Sequence, residues 1–590
     1  MANVELYLFG DSDTPSYGNA WNAYEQGRAY NNRINLDETV KANENFFIGK
    51  QWEGVQSNGL PTPVVNIIKR VVGFITATIT TDNIKMNASA LGNTPHTSEL
   101  EDPVRIINEE FAALTELNEV PALTREFARN AAVDGDACMY TYWDADVDAG
   151  NGIKGAIKTE IINNTRVLFG NPADKDVQSQ PFIQIARRLP CRTVQKMAKR
   201  NGIADFAVIT PDSEDTRDVD SVKYTDNMTT VITTLYRDDE SGEIYSFEST
   251  HNCTVKKPIS LGIRLYPICW LSWDTIHDSY HGQAMVTGLI PNQIFINKTL
   301  AMAMISMMRT GFPKYVYDKT RVAKWDNRVG GAIGVAGNID NVAKAIDPPS
   351  LSPQIAQFIQ LVIDVTEQSL GATSVALGDT RPDNTSAILA LQRAASTPSE
   401  QTKQNLYRAI EGLYRIYYEF IGEYYGVRPV DMATPEKIKE AYRFAANGSP
   451  LIGDPSMQPP EELTMDFDFG FFRENPMMLK LDVGASTYYS EIASMQTLDG
   501  LLMQNKIDIV QYLERIPDEY IPKRRALIED IKAKMSQQGL LPPAIPPVSG
   551  AVPGAEELMP DNTLPEISGG SGNGSVQRQI NRTGTTDGLI

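Results

Sequence analysis

The sequence predicts an α+β fold, mainly α, in which a helix–insert–helix excursion leaves the body of the chain and returns to it. Two amphipathic runs bracket a small basic insert, a longer helix follows, and the preceding stretch from Ala137 to Trp273 switches to strand-like patterning. The first run, Thr287 to Arg309, places Ile290, Ile294, Asn297, Ala301, Met304 and Met308 at three- and four-residue spacing. The second, Pro353 to Leu370, does the same with Ile355, Phe358, Ile359, Val362, Ile363, Thr366 and Leu370. The third, Asn384 to Tyr425, carries Leu406, Ile410, Leu413, Tyr417 and Ile421 on one face. Gly311-Phe312-Pro313 closes the first run. Ser352-Pro353 opens the second, serine as N-cap and proline at the first helical position.

In chain order, residues 1–35 are polar and weakly periodic, which predicts a flexible N-terminal arm with a short helix at most. Helices are expected over Leu36–Trp52, Val64–Thr81, Asp102–Asn118 and Pro121–Asp134, with Val65, Ile68, Val72 and Ile75 facing inward. Strands follow at Cys138–Trp143, Ile153–Ile162, Phe182–Arg187, Thr229–Tyr236, Glu243–Phe247 and Ile263–Trp273, rich in β-branched and aromatic residues. The helix Arg192–Asn201 interrupts them. The insert Lys314–Lys344 carries six basic residues against three acidic ones, and Lys314–Tyr317 and Ala332–Val335 read as short strands. Thr397-Pro398-Ser399-Glu400 predicts a kink or restart in the third helix. A helix at Thr434–Ala446, a strand at Leu463–Phe469 and a terminal helical group between Tyr488 and Ser536 complete the folded part. Beyond Gly539, Pro, Gly, Ser and Asn dominate, the composition of a disordered tail.

The chain has 590 residues, enough for several subdomains, and a formal net charge of −20. That charge argues against a conventional nucleic-acid binder, because phosphate affinity comes from clustered Lys and Arg. Lys69 and Arg70 interrupt the most apolar stretch, so no membrane span is expected, and the first residues lack the pattern of a signal peptide. The four cysteines are widely spaced and read as free thiols.

Catalytic constellations are missing. No Walker loop, G-x-S-x-G or H-E-x-x-H occurs, and Gly331, Gly334 and Gly337 only loosely resemble a phosphate loop. Cys253, Cys269, His277 and His281 form the best zinc candidate but lack a paired-cysteine knuckle. The carboxylate pairs Asp134/Asp136 and Asp466/Asp468 read as solvated edges. No enzyme, cofactor or metal is expected.

This layout resembles the portal protein (head-to-tail connector) of tailed bacteriophages over residues 36–536. Asn45-Phe-Phe-Ile-Gly-Lys-Gln-Trp52 and Pro63-Val-Val-Asn66 look like that family's opening helices, and His281-Gly-Gln-Ala-Met285 with Pro291-Asn-Gln293 looks like the lead-in to its first stem helix. Leu351-Ser-Pro353, Ser386-Ala-Ile-Leu-Ala-Leu-Gln392 and Leu513-Glu-Arg-Ile-Pro517 are similar to later segments. The resemblance implies a ring-forming portal fold. Residues 36–280 form its wing, 281–312 stem helix 1, 313–350 a small α/β clip and 351–370 stem helix 2. A tunnel loop at 371–384 precedes a long kinked helix and wing return at 385–480, a helical crown at 481–540 and the tail at 541–590. It also implies docking of terminase or adaptor through Lys314, Lys319, Arg321, Lys324 and Arg328. The tunnel-loop residues would be Thr373, Ser374, Asp379, Arg381 and Asp383, and the stem residues Gln293, Asn297, Gln357 and Gln360. The partners would be eleven further copies, the terminase large subunit, a head–tail adaptor, a major capsid or scaffolding protein, and double-stranded DNA passing without sequence specificity. The competing reading is another head–tail component, an adaptor or tail-tube protein, which the helix–insert–helix excursion disfavours.

Overall fold

The computed structural model describes residues 15–81, 84–90, 101–150, 153–212, 227–311, 315–322, 324–326, 333–340, 342–345, 354–369, 399–431 and 464–482, with positions 498, 502–503, 506, 509, 512–513, 527 and 531. The chain divides into two units, 1–494 and 495–590. In the second, the described positions other than 506 are helical. The expected helix at Thr434–Ala446, the Thr397-Pro398 restart, the tunnel loop and the tail all lie outside the described residues.

The N-terminal stretch differs from its expectation as an arm. Helix α1, Tyr17–Arg33, starts at Ser16, whose hydroxyl accepts from Asn19 N at 3.1 Å. Its Ala20 and Ala23 pack with Phe182, Tyr236 and Phe247, while Trp21 and Tyr24 pack with Leu168, Ala186 and Ile232. Polar residues surround this narrow stripe of alanine and aromatic side chains, so burial against a sheet, not local periodicity, specifies the helix. Helix α2, Leu36–Ile48, carries Asp37 and Glu38 in its first turn and ends at Gly49 in the left-handed region. Helix α3, Ile67–Ile79, is capped by Asn66, which accepts from Lys69 N, and buries Ile68, Val71, Val72 and Ile75. Val65, expected inward, is 47% exposed in the segment before the cap. Helices α4, Glu101–Leu117, and α5, Val120–Asp134, follow strand β1, Lys85–Ser89.

Two antiparallel sheets fill the middle of the chain. One has the order β3-β2-β9, with β2 at Asp136–Gly150, β3 at Ile153–Ile162 and β9 at Ile268–Ser272. The other runs β4-β5-β6-β7-β8, from Val167–Phe169 through Phe182–Pro190, Met228–Arg237 and Ile244–Ser249 to Thr254–Ser260. Helix α6, Cys191–Arg200, follows β5. Each expected strand here is present, the last shortened from Ile263–Trp273 to Ile268–Ser272, and β4 and β8 were not anticipated.

The main core brings α3 and α5 together with β2 and β9, and with α9, Glu400–Tyr424. Helix α9 contributes Leu406, Ile410, Leu413, Tyr417 and Ile421, the face its periodicity predicts. Tyr414 and Tyr417 direct their hydroxyls to Thr115 and Thr159 at 2.6 and 2.8 Å, so the two large buried rings keep their polar atoms paired. The chain leaves this body on α7, Met285–Gly311, and returns on α8, Gln354–Ser369. Between them β10, Tyr315–Tyr317, pairs antiparallel with β11, Ala343–Ala345. After α9, β12, Val427–Asp431, pairs with β13, Thr464–Asp468. A short helix α10, Phe471–Glu474, precedes β14, Met478–Asp482, which pairs with β1.

Candidate assembly site: the α7–α8 hairpin and its basic tip

A ladder of polar contacts to the first 67 residues anchors the near half of α7. Asn43 Nδ2 donates to Thr287 Oγ1 at 3.0 Å. Gln293 Nε2 donates to Val65 O at 2.7 Å and to Asn297 Oδ1 at 3.0 Å, while its Oε1 accepts from Ile67 N at 3.1 Å. Asn297 Nδ2 in turn donates to Gln51 Oε1 at 2.5 Å. Gln293 and Asn297 are therefore buried clamps inside the subunit. Gln357 and Gln360 are exposed, and Gln360 donates to Asp364 one turn along α8. Asn292 Nδ2 donates to Thr366 Oγ1 at 3.1 Å, and Phe295 meets Phe358 edge-to-face at 5.6 Å, joining α7 to α8.

Beyond that contact the hairpin leaves apolar surface uncovered. Met302, Met307 and Met308 on α7 are 61%, 66% and 53% exposed; Phe358, Leu361 and Val365 on α8 are 50%, 53% and 56%. Met304, Met308 and Phe358, expected on packed faces, are thus exposed, while Ile359, Val362 and Ile363 pack on the core. Helical spacing puts Phe358, Leu361 and Val365 on one stripe. Large exposed apolar patches are commonly interaction sites.

The tip folds around Asp318 and differs from expectation in its pairing. The expected strand Ala332–Val335 has no regular structure at its described positions 333–335, and Ala343–Ala345 pairs with Tyr315–Tyr317 instead. The ladder continues through Asp318 N to Val342 O at 2.9 Å, with Val342 and Val322 buried beneath it. Fixing the glycine-rich stretch as a strand would cost more conformational entropy. Hydrogen bonds from Thr320 hold the Asp318 carboxyl below the usual range, and Tyr317 stacks on Trp325 at 5.1 Å. Lys319, Arg321 and Lys324 are exposed, with Arg321 3.4 Å from Asp318. Lys314 and Arg328 lie outside the described residues, as do Thr373, Ser374, Asp379, Arg381 and Asp383.

The zinc candidates are not brought together. His277 is 97% exposed, Cys253 lies in a small cluster with Cys191 and Val194, and Cys269 sits in the main core. No metal-holding group of His, Cys, Asp or Glu occurs among the described residues. His281 is instead buried against Asp136 at 2.8 Å. This corrects the solvated-edge reading of Asp136, which is 1% exposed, while Asp466 and Asp468 are exposed as expected. Sequence reasoning missed the His281–Asp136 contact because the two positions are far apart in the chain; only their sharing of the sheet-to-α7 junction joins them. Among the described residues, no helix is long and apolar enough to cross a membrane.

Residues 187–458 match the model of the family described as Phage P22-like portal protein, a span that includes the whole α7–α8 hairpin. The match supports a phage portal protein. No curated protein matches the chain.

Proposed function

We propose that the chain is the repeating subunit of a portal ring, twelve copies at one capsid vertex. In this reading the ring is the channel for genome packaging and ejection. Its tip is the platform on which the terminase large subunit, and then a head–tail adaptor, docks; its outer surface meets capsid or scaffolding protein. The observation that supports this reading best is the α7–α8 hairpin, which presents exposed Met, Phe, Leu and Val side chains on a rigidly anchored stem. A ring closes through heterologous contacts, which need apolar surface on each subunit that the subunit itself leaves bare. Charge fits as well. At −20 per chain, twelve copies carry about −240, so a polyanionic duplex passes without the tight phosphate contacts of a DNA binder. The basic tip, with Lys319, Arg321 and Lys324 exposed, is the local exception and suits an acidic docking partner.

The native mass of the purified protein, with negative-stain images of the same sample, tests this reading. From 65.2 kDa per chain, a twelve-membered ring weighs about 780 kDa and shows a central channel end-on. A compact dimer without a channel would end the portal reading.

A further inference from the structure

Where β9 hands over to α7, His281 lies between two oxygen acceptors. Its Nδ1 is 2.8 Å from Asp136 Oδ2 and its Nε2 is 3.2 Å from Asn31 Oδ1. The two side chains of the ion pair are buried, 2% exposed for the histidine and 0% for the aspartate. A neutral imidazole has one N–H and donates to only one of the two oxygens, whereas an imidazolium donates to both. Aromatic rings surround the imidazole. Tyr280 lies 3.9 Å and Trp270 5.7 Å from the ring, and Tyr30 stacks nearly parallel to it at 6.3 Å. The second oxygen of Asp136 accepts from Gly282 N at 2.7 Å, so the carboxylate has the full set of partners that a buried ion pair requires.

We propose that His281 is held as an imidazolium pinned between Asp136 of β2 and Asn31 of α1, and that this pin makes the junction between the sheets and α7 proton-dependent. Asn31 Nδ2 has no partner among the described residues. When the Nε2 proton leaves to solvent, a half-turn of the Asn31 amide brings Nδ2 to donate to the bare Nε2 and orphans Oδ1 instead. The joint therefore has two arrangements, one proton and one amide rotation apart. The close fit around it admits little slack: a Cβ on Gly282 would stand 2.7 Å from Asp274 O and 3.2 Å from Asp136 Oδ1. Other charged groups face the joint. Arg33 lies over Tyr30, and burial raises Asp274. Burial also pushes Asp134, at the end of α5, up to about 7, with Arg129 opposing and Glu44 and Asp136 adding.

The imidazole 15N spectrum of histidine-labelled protein tests the charge directly, in whatever assembly the protein adopts. The chain has four histidines, and 97%-exposed His277 serves as the reference. The His281 signal is identified by its loss in His281→Gln, or by its shift in Asn31→Ala if the glutamine variant does not fold. At about pH 7.5, where a free histidine is neutral, His281 should show two protonated nitrogens. One bare nitrogen there overturns the proposal. The second arm compares melting temperatures with and without His281→Gln in an Asp134→Asn background, which removes that carboxyl's own titration. The gap should shrink by half or more across the pH step at which the His281 spectrum loses its second protonated nitrogen. A gap that stays constant would mean that His281 is only a packing residue.

Discussion

Gln293 shows what one side chain decides at the root of the hairpin. It is 1% exposed and pairs with Val65, Ile67 and Asn297 at once. Gln293→Leu fills the same space but strands the Ile67 amide, the Val65 carbonyl and the Asn297 amide oxygen. The expected loss is about 2–3 kcal/mol, read by chemical denaturation. Asp134 makes a pH-dependent contribution whose sign follows from its carboxyl being raised from 3.8 to about 7, chiefly by burial. A raised folded-state value means that the folded chain holds the proton more tightly. That contribution is fully present below about pH 4 and is lost as pH rises through about 7. Asp134→Asn removes the loss. The variant should match the parent near pH 4 and exceed it near pH 8 by on the order of 2–4 kcal/mol, measured by denaturation at the two pH values.

At the scale of elements, α7 and α8 have two kinds of surface. One side is tied down by amide ladders and by Ile359, Val362 and Ile363; the other carries exposed methionines and the Phe358–Leu361–Val365 stripe. Replacing Met302, Met307 and Met308 together with Ser should leave the subunit's melting temperature within a few degrees, because these side chains are already in water. The same replacement should lower the ring fraction at least tenfold in native mass measurements. Unchanged assembly would remove this face from the subunit contact. Helix periodicity made α7, α8 and α9 legible, since each must bury one stripe. It could not say which part of a stripe the subunit itself covers: Met304 and Met308 follow the same spacing as buried Ala301. Helix α1 failed the opposite way, being too weakly patterned to be found although its Trp21 and Tyr24 are buried against the five-stranded sheet.

At the scale of the whole molecule, the proposed channel predicts a separation of assembly from transport. Deleting Thr373–Asp383, between α8 and α9, should leave the ring mass intact while packaging or retention of DNA falls. Loss of the ring on that deletion would count against a loop that merely overhangs the channel. The family match, residues 187–458, takes in the α7–α8 hairpin together with β6 to β9 before it and α9 after it.

The sequence by itself determined the helices of the two-helix excursion with its basic tip, the strand-rich middle and the family resemblance. All of these are local signals: periodicity, proline and glycine breaks, and motif order along the chain. Only the tertiary structure decided that Gln293 and Asn297 are inward clamps, that Ala343–Ala345 closes the tip, that Tyr17–Arg33 is a packed helix and that Asp136 lies buried on His281. The physical reason is the same each time. These outcomes depend on partners far away in the chain, such as Val65 and Gln51 for the clamps and Asp136 and Asn31 for His281, and local sequence carries no record of which distant group will satisfy a buried polar atom.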